Sequence, residues 1–95
     1  MLENRSRNGV VNAWVGTMYP SIEEIKEAIE EVVPGSSVEP IGEPRPETDW
    51  VIRSRLFKGM EIPDRRLRVR KIRDRLGIKG QFVGAFIPLA PGEKY

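Results

Sequence analysis

The chain has 95 residues, 39% hydrophobic and 32% charged, which is enough apolar surface for one thin two-layer core and too little for two. It contains no cysteine and no histidine, which excludes disulfides, thiolate and imidazole catalysis and the commonest transition-metal ligands together. The formal net charge of +2, from 16 Lys and Arg against 14 Asp and Glu, conceals how unevenly the two signs are placed.

Residues 1–20 read as an N-terminal arm or added strand. Residues 1–9 are polar with small residues among them and read as a flexible arm, and Val10-Val11-Asn12-Ala13-Trp14-Val15 has β-branched and aromatic residues without clean alternation. The domain itself is expected over residues 21–95. Ser21 followed by Glu24 is a capping-box signature, in which hydroxyl and carboxylate each satisfy an orphan amide at a helix start. Ile22, Ile25, Ala28, Ile29 and Val32 recur at helical spacing, glutamates fill the outer face, and Pro34-Gly35 stops the helix.

A short strand is expected over 36–41, then a loop through Pro44 and Pro46, since two prolines cannot sit inside a ladder. A second strand is expected over 49–57. Its alternation puts Trp50, Ile52, Ser54 and Leu56 on a buried face, and Val51, Arg53, Arg55 and Phe57 on the other, so Arg53 and Arg55 should face solvent. Trp50 is read as core, not as a stacking platform.

Lys58-Gly59 turns the chain, Pro63 suits the first turn of a helix and Asp64 sits near its positive end, predicting a second helix over 63–76. Ile62, Val69, Ile72 and Leu76 converge on one side. Arg66, Arg70 and Arg73 form one flank, Arg68, Lys71 and Arg75 the other, with Leu67 outward between them. Gly77-Ile78-Lys79-Gly80 has the GxxG form that clamps nucleotide backbone in KH modules, but the residues after it look like strand. It is therefore read as a helix C-cap and turn, and 81–89 as a last strand that Pro88 interrupts or ends. The crossover through the second helix permits that strand to lie parallel to its partner. The fold class expected is α+β, a three-stranded mixed sheet with helices on one face.

Over residues 53–79 eleven Lys and Arg meet three Asp and Glu, whereas residues 1–52 hold four against ten. A cationic face of this kind meets phosphate, an acidic protein surface or anionic lipid. Glu23, Glu27, Glu30 and Glu31 have the spacing of a solvated face, not of a paired acid and base, so no enzyme, metal site or cofactor is expected. No apolar run approaches the roughly 20 residues that span a bilayer. Residues 1–7 lack the apolar core of a signal peptide, and a cytoplasmic protein is the expectation.

An amphipathic helix leads to Val33-Pro34-Gly35-Ser36-Ser37-Val38, a strand leads into Phe57-Lys58-Gly59-Met60, and Arg65-Arg66-Leu67-Arg68-Val69 opens the second helix. The last stretch is Phe86-Ile87-Pro88-Leu89-Ala90-Pro91-Gly92-Glu93-Lys94-Tyr95. On these segments, residues 21–95 resemble the BolA-like family, or stress-induced morphogens, with an α-β-β-α-β fold similar to a type II KH domain. The resemblance implies a regulatory module of transcription or stress response. The family typically places a histidine after the arginine matched by Arg65, to hold an iron–sulfur cluster shared with a monothiol glutaredoxin. Arg66 stands there instead, and a guanidinium offers iron no lone pair.

The leading expectation is thus a non-enzymatic module that binds nucleic acid through the basic helix. Arg65, Arg66, Arg68, Arg70, Lys71, Arg73 and Arg75 would contact phosphate, with Arg53 and Arg55 as a rim and Lys79 at the GxxG turn. The alternative is a protein-interaction adaptor that docks a monothiol glutaredoxin or another acidic partner without ligating a cluster itself.

Overall fold

Residues 19–95 are described by a computed structural model. The expectations for residues 1–18, including the segment around Trp14, lie outside the described residues. Helix α1 (Ile22–Val32) begins at the predicted capping box: the Glu24 amide donates to Ser21 Oγ and the Ser21 amide to Glu24 Oε1, both at 3.0 Å. At the other end Gly35 adopts φ 71°, and its amide donates to the Glu30 carboxylate at 3.0 Å. Ile25, Ala28, Ile29 and Val32 are buried, as their spacing requires.

Strand β1 (Ser37–Pro40) pairs antiparallel with β2 (Trp50–Arg53), Val38 opposite Ile52. The strand expected over 49–57 ends at Arg53, because Ser54 accepts a hydrogen bond from the Leu56 amide at 3.1 Å and caps a 3₁₀ turn over Arg55–Phe57. The serine hydroxyl competes with the ladder for that amide. The turn breaks the two-residue alternation, so the predicted faces are exchanged: Phe57 is 0% exposed and Leu56 is 40% exposed.

Helix α2 (Ile62–Arg75) has Pro63 in its first turn and Asp64 near its positive end. Val69 and Ile72 are buried and Leu76 is partly buried, as expected. Ile62 is not, at 53% exposure. The inward position of the first turn belongs to Arg65, one step along the same stripe, whose guanidinium and partners fill that space. Gly77 takes φ 64° past the helix end. The next residues form a 3₁₀ helix (Gly77–Phe82), not the start of a strand. Pairing with β2 begins only at the Ala85 carbonyl, which accepts from the Trp50 amide at 2.8 Å, while the Gly84 amide donates to the Pro46 carbonyl at 3.3 Å and the Ala85 amide to the Asp49 carboxylate at 2.9 Å.

The last strand is therefore only β3 (Phe86–Leu89), parallel to β2 with Trp50 opposite Phe86 and Ile52 opposite Pro88. It lies at the edge of a sheet ordered β1-β2-β3, where a proline is tolerated in a ladder. The chain is thus a small α+β domain with a three-stranded mixed sheet. Trp50 and Ile52 of the central strand pack in one cluster with Ile25 and Ile29 of α1 and Val69 and Ile72 of α2, with Phe57 closing it. Burial of each large apolar side chain contributes roughly 1.5–3 kcal/mol. Among the described residues no helix is long and apolar enough to cross a membrane.

Candidate nucleic-acid interface

The ten predicted contacts do not form one ridge. Arg65 is 5% exposed and belongs to the fold: its Nε donates to the Met60 carbonyl at 3.0 Å, and its two terminal nitrogens grip the Glu93 carboxylate, Nη2 at 3.0 Å. Arg53, expected in solvent, is half-buried and donates to the carbonyls of Ala90 at 3.1 Å and Glu93 at 2.6 Å. Both arginines thus hold the segment after β3, where backbone oxygens lacking ladder partners need donors. The Arg65 guanidinium, aided by the Ala90 amide, holds the Glu93 carboxyl down to about 2, and Glu93 raises the Arg65 value in return.

The flank of α2 that turns toward α1 is partly spent. Arg75 pairs with Glu31 at 2.9 Å and Lys79 with Glu24 at 2.9 Å. The Ser21 amide first, and the Lys79 ammonium next, keep the Glu24 carboxyl below its ordinary value. Both pairs are solvent-accessible, so each is cheap to open. Arg68 is half-buried, with its Nε enclosed and without a hydrogen-bond partner among the described residues. Lys71 is exposed and has no ion-pair partner among them, and Leu67 beside it is 61% exposed, outward as predicted. Arg55 is exposed but stands apart on the 3₁₀ turn, where it lines a recess with Lys58 and Gly59.

The other flank is open. Arg66, Arg70 and Arg73 edge a groove of about 810 Å³ between α2, the 3₁₀ helix and the start of β3. Its apolar lining comes from Val69, Ala85 and Phe86, its far end from Asp74, Gly77, Gly80 and Gln81. Arg66 and Arg70 are exposed with no hydrogen-bond or ion-pair partner among the described residues, and Arg73 spends one donor on the Gly84 carbonyl at 2.9 Å. Helical spacing at i, i+4 and i+7 places the three on one side.

Val69, Phe86, Asp74 and Gln81 were not among the predicted contacts, and the signal that could have found them is the GxxG turn. A side chain on Gly80 would collide with the Arg73 carbonyl oxygen, so only glycine lets this turn close against α2 and form the groove's end. The motif spans the first four residues of the 3₁₀ helix, and Gly77 ends α2 at positive φ, as the reading of a C-cap and turn requires. No protein-family model, curated protein or solved structure matches the chain.

Proposed function

We propose that the protein is a small non-enzymatic module that binds single-stranded nucleic acid in the groove beside α2. The observation that carries this is the pairing of a cationic rim, Arg66, Arg70 and Arg73, with an apolar lining that includes Phe86. Phosphates repeat along a strand and suit guanidinium groups spaced one turn apart, while unstacked bases suit an apolar, partly aromatic surface. A duplex hides its base faces and would leave that surface unused. The α-β-β-α-β order agrees with a BolA-like or KH-like module, an analogy that supports the reading without carrying it.

The test is a fluorescence anisotropy titration of a labelled single-stranded oligonucleotide at rising salt. Three phosphate contacts give a log–log slope of about −2, at roughly −0.7 each. The triple substitution of Arg66, Arg70 and Arg73 to alanine should abolish that slope. Absent binding, or binding indifferent to salt, overturns the proposal.

A further inference from the structure

Asp74 is out of place by every local rule. It sits in the last turn of α2, where the negative end of the helix dipole disfavours a carboxylate. It continues the stripe Arg66, Arg70 at the next i+4 step, so it interrupts the cationic rim. Arg70 stands four residues before it, the weaker order for a helical ion pair, and no cation lies within ion-pair distance of it among the described residues. The side chain is exposed and lines the groove's far end with Gly77, Gly80 and Gln81. A phosphate would be repelled there, so a strand whose phosphates follow the arginines presents a base at this point.

A carboxylate at neutral pH offers only acceptors and selects a base edge that offers only donors. The ring N–H and exocyclic amine of guanine form two parallel donors that match its two oxygens. Adenine and cytosine set one amine beside a ring nitrogen lone pair, and uracil and thymine set one N–H between two carbonyls.

We infer that Asp74 makes the groove selective for guanine at one position of the bound strand, an inference that rests on the nucleic-acid reading above. The probe is a labelled oligouridylate of eight residues carrying one central guanosine, compared with all-uridine and with inosine in the guanosine's place, which lacks only the exocyclic amine. The guanosine oligomer should bind roughly tenfold tighter than all-uridine, as one bidentate pair allows, and inosine should lose most of that advantage. In Asp74→Asn the ratio of the two affinities should fall to about one, since the amide can no longer accept from both donors. Equal binding of guanosine and uridine oligomers by the native protein, or a preference that survives Asp74→Asn, overturns the inference and leaves nucleic-acid binding standing. Failure of all three oligomers to bind removes both.

Discussion

Arg65 and Arg66 are consecutive on α2 and carry the same guanidinium, yet one is 5% exposed and clasped to Glu93 while the other is exposed on the groove's rim. The clasp region is rich in oxygens without ladder partners, supplied by Met60, Ala90 and Glu93, and it draws Arg53 and Arg65 inward. Along the rim, among the described residues, the only such oxygen bound by a predicted contact is the Gly84 carbonyl, and it takes one donor of Arg73. A cation is available to an outside anion where the fold offers it no acceptor of its own. Charge counted along a chain therefore overstates the charge a ligand meets.

The largest test of that contrast is Arg65→Ala, which strips donors from Met60 and Glu93 together. Thermal unfolding should show a lower Tm than for any other single arginine substitution in α2, and an equal drop for Arg66→Ala would erase the distinction. Gly80→Ala comes next: the new methyl meets the Arg73 carbonyl, and overpacking of this kind costs about 1–3 kcal/mol in a urea titration. It should also weaken oligonucleotide binding by deforming the groove's end.

The clasp has a pH signature of its own. Glu93 titrates near 2 when folded, below its ordinary 4.5, so its stabilisation is complete above about 4.5 and is lost as pH falls toward 2. Urea midpoints measured down this range should fall, and Glu93→Gln should flatten that part of the curve. Arg66→Ala should do the reverse of Arg65→Ala, holding stability within about 0.5 kcal/mol while shallowing the salt slope of binding by about 0.7. Smallest is Glu31→Gln, which frees Arg75: an exposed pair is worth under about 1 kcal/mol, so Tm should barely move.

How far the chain could be read follows the range of the forces involved. The capping box of α1 acts over three residues and was legible, as was the apolar stripe that buries Ile25, Ala28, Ile29 and Val32. The strand expected over 49–57 failed at Ser54, although the competing hydrogen bond reaches only to Leu56. Alternation alone favoured strand there, and nothing local said that the hydroxyl would win the amide. The GxxG turn was visible, but its bearing on a groove was not, because the groove forms only where Gly80 lies against the Arg73 carbonyl and Ala85 and Phe86 come beside α2.

By itself the sequence determined an amphipathic first helix, a basic second helix and an α+β core, since periodicity and capping are properties of neighbouring residues. Only the tertiary structure decided which arginines remain free. Glu93 lies 28 residues from Arg65, the Ala90 carbonyl 37 from Arg53 and Glu31 44 from Arg75. Whether a guanidinium meets such an acceptor or solvent depends on how the helices and the segment after β3 pack on the sheet. No pattern along the chain encodes that meeting, because the energy of an ion pair depends on distance in space and not on separation in sequence.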